Sequence, residues 1–436
     1  MPHSPSEAKI LTEAYTGMEY GSLRRIPRHP AVVVSPTTRV QDALLQIHQA
    51  KADAAVVVDP QSQLPLGILT LQNLVQGIAM EDCGLGEPVV SAMTAAPVTL
   101  PADAQVHRAT VLMTKHQMQH LVLVEADGRL FNLVSQADIF GLRGGGAEEL
   151  AAIIAAAVDV EGLARAADEV RARGGELFFA GMGVETLCEW MSSLNDLIAM
   201  RVIELIEEEH DLPPLPWCWL VFGSEGRIEQ TFATDQDNGL IFLPADEQGN
   251  DRLRQTFLPF AQSVNRALDT CGFTLCKGDI MAGNPEWCLS LGEWQQKFDT
   301  WMSTPDPKAL LNSTIFFDFR PLYGRYELAD ALRTWLSPRS PSRPLFLRAM
   351  AEEALTCQPP LGWIGNFVYD GGKKHPHTIN LKLRGSRPFV DAARVWSLAQ
   401  GVWATNTGER LRVTAKALRR TPKDVAAATE AFYLIQ

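Results

Sequence analysis

Between residues 30 and 143 the hydrophobic and polar positions repeat themselves at a spacing of about 65 residues. Ser35-Pro36 leads into a segment whose Val40, Ala43, Leu44 and Ile47 share one helical face, and Leu100-Pro101 leads into Val106, Ala109, Thr110 and Met113 at the same spacing. A buried-type strand follows each, Ala54–Asp59 and His120–Glu125, then a turn (Pro60 to Gln63; Asp127-Gly128-Arg129). Each unit closes on a strand running into a helix, at Gly67–Leu74 and Asn132–Ile139. Gly144-Gly145-Gly146 then breaks the chain, and an Ala-rich helical stretch runs to Arg173, where Gly174-Gly175 interrupts it. Leu187, Trp190, Met191, Leu194, Leu197 and Ile198 recur at three- and four-residue steps and predict a long helix, closing on a solvated Glu207-Glu208-Glu209. Pro213, Pro214 and Pro216 stop it.

The next stretch organises the rest. An apolar run, Trp217 to Phe222, ends in Gly223-Ser224. A polar segment with Arg227, Glu229 and Gln230 follows, then Thr234-Asp235-Gln236-Asp237-Asn238, and the chain turns apolar again at Leu240 to Leu243. The pattern predicts a strand, a phosphate-type loop with a short helix, and a second strand that opens on two carboxylates. Beyond it, Gly272 to Met281 has the pattern of a further strand, and from Trp294 onward helical patterns dominate.

The chain has 436 residues, 46% hydrophobic and 21% charged, which fits a soluble protein of two or three domains. A net charge of -12 repels phosphate backbones and disfavours a general nucleic-acid-binding role. The seven cysteines (Cys83, Cys188, Cys218, Cys271, Cys276, Cys288 and Cys357) form no C-x-x-C pair. They fit reduced thiols better than a disulfide frame or a zinc site, the closest pair, Cys271 and Cys276, included. The polar Met1–Lys9 segment has no signal-peptide pattern, and the most aliphatic window, Leu150 to Val160, is too short to span a bilayer, so a cytoplasmic location is expected.

Asp235 and Asp237 are two residues apart, so on an extended backbone both carboxylates face one side. Two carboxylates in one cleft call for cations between them, and a pair of magnesium ions suits in-line attack on phosphorus. Gly223 lets backbone N–H groups approach a phosphate, the Ser224 hydroxyl adds a donor, and Arg227 is placed to neutralise a triphosphate.

The repeat resembles a tandem pair of CBS domains, a Bateman module. That resemblance implies an adenine nucleotide in the cleft between the units, held by a hydroxyl and a carboxylate at the last strand-to-helix turn: Ser135 and Asp138 in the second unit, Thr70 and Asn73 in the first. Asn73 departs from the usual Asp, which implies a weaker or empty first site. The same residues are also what a helix N-cap needs, and both readings stand at this point. CBS pairs associate face to face, which implies a homodimer.

The order G-S-E-G-R-x-E-Q-T-x-x-T-D-Q-D-N resembles the nucleotidyltransferase fold of the DNA polymerase beta superfamily. Within it, the stretch is most similar to the nucleotidyltransferases fused to CBS pairs, relatives of the N-terminal domain of PII-protein uridylyltransferases. The resemblance implies a third acid on a later strand, with Asp279 as the candidate, although Asp279 also suits the start of a turn toward Asn284-Pro285. It also implies that Phe316–Pro321, Asn380–Pro388 and Asn406–Leu411 belong to a helical domain walling the nucleotide cleft. There Lys382 is expected to face the triphosphate or the acceptor, Arg384 and Arg387 to be surface charges, Asp318 and Arg320 to pair with each other, and Asp391 to pair with Arg394. Relatives extend the last helix, still running at Gln436, and many carry a cyclic-nucleotide-binding domain ahead of the CBS pair, so a truncated or short version is expected.

The expected fold is α+β multidomain: an N-terminal extension (1–29), the CBS pair (30–143), a helical linker (144–212) acting as signal transmitter or plain spacer, a nucleotidyltransferase core (213–300) and a C-terminal helical domain (301–436). The expected activity is magnesium-dependent transfer of a nucleoside monophosphate from a nucleoside triphosphate to an acceptor, which is a signalling protein by analogy with the uridylyltransferases. The CBS pair tunes it through an adenine nucleotide. The alternative is a regulator or scaffold that binds nucleotide without turnover, and RNA as acceptor is disfavoured by the charge.

Overall fold

A computed structural model describes residues 23–25, 31–50, 52–71, 73, 84–104, 108–109, 112–113, 118–135, 138, 146–245, 249–361, 367–369, 375–415 and 417–436. The N-terminal extension up to residue 22, Val106 and Thr110 of the second repeat's helical face, Leu74, Ile139 and the Gly144-Gly145 break lie outside the described residues. The chain divides into two compact units, Glu19–Glu149 and one that contains Leu150–Gln436. Among the described residues no helix is long and apolar enough to cross a membrane.

The first unit is the predicted repeat. Strands β1 (Val32–Val34), β2 (Ala54–Val58), β3 (Pro65–Thr70) and β4 (Thr94–Ala95) form one sheet in that order; β5 (Thr99–Pro101), β6 (His120–Val124) and β7 (Leu130–Ser135) form the other. The repeat extends to register. Ala54 pairs with Thr70 and His120 with Ser135, and each antiparallel pair slips at the same place, after Val57 and after Leu123. The helix Val40–Gln49 buries Val40, Ala43 and Ile47, the face its spacing predicts. Val56, Val58 and Val122 meet in a small core shared by the two sheets.

The second unit is built on a four-stranded sheet in the order β10-β9-β8-β11: β8 (Trp217–Val221), β9 (Asn238–Phe242), β10 (Cys288–Ser290) and β11 (Arg320–Gly324). β9 runs antiparallel to β8 and parallel to β10, and β11 runs antiparallel to β8. β8 and β9 are buried throughout, β8 as its unbroken apolar run requires and β9 with Asn238 at its head.

Three expectations change here. The helices Val160–Phe179 and Val184–Glu207 are no spacer: the second is buried on nearly every side, Trp190, Ile198, Val202 and Ile203 fully, and both belong to the second unit. The sheet's edge strand comes from residues 320–324, inside the stretch expected to be helical; Pro321 is tolerated there because an edge strand leaves an N–H unused. Gly272 to Met281 is no strand. Only Thr274 makes a ladder contact, with Asp235, and the fourth sheet position is taken by Cys288–Ser290.

The remaining chain is mainly helical, from Leu291–Ser303 through Pro344–Thr356, Arg387–Ala399 and Thr407–Thr414 to Pro422–Ile435. A large aromatic core (Phe222, Trp287, Trp294, Phe298, Trp301, Phe316, Phe317 and Phe319) joins the back of the sheet to these helices.

Candidate active site

The sheet brings the two signature pieces together. After β8 the chain turns at Gly223 with φ +56, a left-handed conformation that glycine adopts without cost, and runs into the short helix Gly223–Gly226. A Cβ on Gly223 would stand 2.8 Å from Asp237 Oδ2, so the bare backbone of the loop faces the carboxylate directly. Ser224 is half-buried beside it. The loop is packed just as tightly behind: a Cβ on Gly226 would lie 1.7 Å from the Asp318 carbonyl oxygen.

Along Thr234-Asp235-Gln236-Asp237-Asn238 the burial alternates. Asp235 is exposed and Asp237 partly so, while Gln236 and Asn238 are buried. The two carboxylates therefore share a face, as their spacing predicts. The inward residues form an amide network that sequence reading missed. Gln236 Nε2 donates to the carbonyls of Asn265 (2.9 Å) and Phe273 (2.8 Å), and Asn265 Nδ2 donates to Gln236 Oε1 (2.8 Å) and Asn238 Oδ1 (3.0 Å). The outward residues have their own donors. Thr274 Oγ1 donates to Asp235 Oδ1 at 2.6 Å, and the Cys276 thiol is close enough to Asp237 to favour its ionised form. Burial and the like charge of Asp235 hold the Asp237 carboxyl above its ordinary value, against the pull of the Cys276 thiol, Arg227 and Lys382. Lys382, exposed on a π-helical turn (Lys382–Ser386), is thus near enough to act on Asp237.

Arg227 is placed otherwise than expected. Its guanidinium turns inward, Nε donating to Glu229 Oε2 (2.7 Å) and Nη1 to Asp318 Oδ2 (2.8 Å). Asp318, fully buried, also receives Arg394 on both oxygens (3.0 and 2.7 Å) and Arg410 on Oδ1 (2.7 Å). Glu229, which also accepts from the Thr407 N–H at 2.6 Å, and Asp391, paired with Arg394 at 2.6 Å, offset the excess positive charge. Burial alone would raise the Asp318 carboxyl, but Arg394, Arg410 and Arg227 outweigh it and hold it well below the usual carboxylate range. The Asp391–Arg394 pair is as predicted. The Asp318–Arg320 pair is not formed: Arg320 instead bonds Asp196 (2.7 Å) and the Glu225 carbonyl (3.0 Å). The residues around the loop thus hold it rather than present charge to a ligand.

Asp279 stands in a turn with φ +55. Its carboxylate accepts from Asn284 Nδ2 (2.9 Å) and its carbonyl from Trp287 Nε1 (3.0 Å), so no strand carries it into line with Asp235 and Asp237. A further acid lies within the loop itself. Glu225 is buried, and burial, with Asp196 and Asp237 adding repulsion and Arg320 opposing, pushes its carboxyl up to about 8. Among the described residues no cluster of three or more His, Cys, Asp or Glu is placed to hold a metal ion. The donor set is two hard carboxylates, which suits a magnesium ion that completes its shell with triphosphate oxygens and water.

In the repeat unit each strand-to-helix turn is a closed box. Ser135 Oγ donates to Asp138 Oδ2 (2.7 Å) while the Asp138 N–H donates to Ser135 Oγ (3.0 Å); Thr70 and Asn73 reproduce it at 2.6 and 3.1 Å. The capping role is therefore met at both turns.

Family models match in three places: "Putative nucleotidyltransferase DUF294" over residues 168–308, "Putative nucleotidyltransferase substrate binding domain" over 344–436, and "CBS domain" over 23–79 and 89–144. Among curated proteins, an uncharacterized 17.7 kDa protein of Acidianus ambivalens is 26% identical over 107 residues, which is 24% of this chain and 63% of that one. Protein YlbB of Bacillus subtilis is 30% identical over 101 residues, 23% of this chain and 67% of that one. The matched stretch spans less than two thirds of the Acidianus protein. Among solved structures, a CBS domain protein from Pyrobaculum aerophilum complexed with AMP shares 19% identity at a TM-score of 0.26, over 27% of this chain and 88% of that one. A CBS-domain protein from Agrobacterium tumefaciens shares 29% at 0.25, over 26% and 90%.

Proposed function

We infer the activity from membership: carrying a CBS pair, a nucleotidyltransferase domain and that domain's substrate-binding partner, the chain belongs to the CBS-linked nucleotidyltransferase family. Within that class, the reading is transfer of a nucleoside monophosphate from a nucleoside triphosphate to an acceptor. The carrying observation is that Asp235 and Asp237 stand on one face, with Asp237 against the bare backbone of Gly223. Asp235 and Asp237 would hold magnesium, which when bound neutralises the triphosphate and the charge that develops on the leaving pyrophosphate. Ser224 and the Gly223 backbone take the phosphates, and Lys382 adds positive charge from the substrate-binding domain. The acceptor's nucleophile bonds to the α-phosphorus, the bond to the β-phosphate oxygen breaks, and the nucleophile's proton leaves to solvent.

By the same reading the acceptor is a signalling protein and the donor is uridylyltransferase-like in its base. An adenine nucleotide at Ser135 and Asp138 tunes the transfer, with Thr70 and Asn73 forming the weaker site. The protein works as a cytoplasmic homodimer paired through its CBS units. One observation favours the second reading, a regulator without turnover: Asp279 is not aligned with the two carboxylates.

Incubation with labelled nucleoside triphosphates, magnesium and a cell lysate separates the two. Transfer predicts a labelled product made by the natural protein and lost in Asp235→Ala/Asp237→Ala. Equal labelling by both proteins, or none by either, rejects it. Nucleotides that co-purify with the CBS unit identify the regulator.

A further inference from the structure

The stretch Thr274-Leu275-Cys276 lies alongside Asp235-Gln236-Asp237. Asp235 and Thr274 are partners in a parallel bridge, fixed by the Thr274 N–H donating to the Thr234 carbonyl (3.2 Å) and the Gln236 N–H donating to the Thr274 carbonyl (2.9 Å). The ladder ends at this bridge: the Asn238 N–H donates to the Ile280 carbonyl (3.1 Å), and Cys276 opens the turn between, its carbonyl accepting from the Asp279 N–H (2.9 Å). The Thr274 hydroxyl donates to Asp235 Oδ1 at 2.6 Å, and the Cys276 thiol, two residues on, stands near enough to Asp237 to act on its carboxylate.

We propose that Thr274 and Cys276 are positioning residues that aim the two carboxylates at a divalent cation, each occupying one oxygen or edge of its partner and leaving the rest for the metal. The proposal rests on the metal-binding reading of Asp235 and Asp237.

Three features make the pairing more than chance contact. Both donors come from one segment, at the same two-residue spacing as their acceptors. The acceptors' backbone is fixed from behind, since Gln236, between them, is buried and bound to the Asn265 and Phe273 carbonyls. Both donors sit on the accessible side, Thr274 exposed and Cys276 partly so, whereas Cys188, Cys218, Cys271 and Cys288 are buried. Ligating carboxylates that lose such a hydrogen bond lose roughly 10- to 100-fold in metal affinity.

The test is Mn2+ binding to the full chain, followed by electron paramagnetic resonance without nucleotide, for the natural protein, Thr274→Val, Cys276→Ala, Cys276→Ser and Asp235→Ala/Asp237→Ala. The expected result is a roughly 10-fold or larger loss in Thr274→Val and Cys276→Ala, with near-natural affinity in Cys276→Ser, whose hydroxyl still donates. Melting temperatures of the single variants should stay close to the natural protein's, which separates aiming from folding. Natural affinity in Thr274→Val and Cys276→Ala, with loss in the double aspartate variant, overturns the positioning role and leaves the metal site standing. Natural affinity in the double aspartate variant overturns both. If Thr274→Val does not fold, the contrast between Cys276→Ala and Cys276→Ser decides.

Discussion

Arg227 and Asp318, 91 residues apart in the chain, are joined at 2.8 Å inside the protein. The bond ties the loop after β8 to the helices of the substrate-binding domain, because Arg394 and Arg410 close on the same carboxylate. Replacing Asp318 by Ala leaves three buried guanidiniums short of a partner. The expected loss is about 3–5 kcal/mol, measured by urea unfolding. The folded carboxyl lies below its ordinary 3.8, so this stabilisation is complete above that pH and is lost as pH falls toward the depressed folded value. Asp318→Asn should flatten that acid limb.

Glu225 gives the opposite sign. Its carboxyl is raised from the ordinary 4.5 to about 8, so the folded chain holds a proton that the unfolded chain releases. Its contribution is full below 4.5 and declines as pH rises toward 8. Glu225→Gln mimics the protonated form. Its melting temperature should match the natural protein's at pH 5 and exceed it at pH 8.5; equal curves at both would reject the assignment.

The two loop glycines should fail differently. Gly226→Ala drives a Cβ to 1.7 Å from a backbone oxygen, and soluble expression should collapse. Gly223→Ala meets a carboxylate oxygen at 2.8 Å and a left-handed φ, costing about 1–2 kcal/mol of backbone strain. It should fold and lose nucleoside triphosphate binding, followed by calorimetry.

At the CBS turns, Asp138→Ala and Asn73→Ala both remove a capping partner, each costing about 0.5–2 kcal/mol in the repeat unit. Calorimetry with AMP or ATP should show a larger loss for Asp138→Ala, because only that turn carries a carboxylate for a ribose. Equal losses would make the two turns equivalent.

Much of this was legible in order along the chain. The CBS repeat, its helical face and the shared side of Asp235 and Asp237 depend on residues a few positions apart, and backbone geometry converts such spacing into a face. The amide network was half legible: Gln236 and Asn238 alternate with the two aspartates, but their partner Asn265 lies on a helix 27 and 29 residues away. Of the two places the sequence left open for Asp279, a later strand or the start of a turn toward Asn284, the structure takes the turn: an apolar run of strand length does not reveal whether an edge is free to receive it, and Cys288–Ser290 fills that place beside β9.

The sequence by itself determined the two sets of domains, their order, and the carboxylate-bearing loop, since these follow from local periodicity and turn chemistry. Tertiary structure decided where the charges went. Arg227, expected at a triphosphate, closes on Asp318; Arg320 reaches Asp196 across 124 residues; and Thr274 becomes a donor to Asp235. The reason is energetic. A guanidinium removed from water must find carboxylates wherever packing brings them, and that choice is made between distant elements.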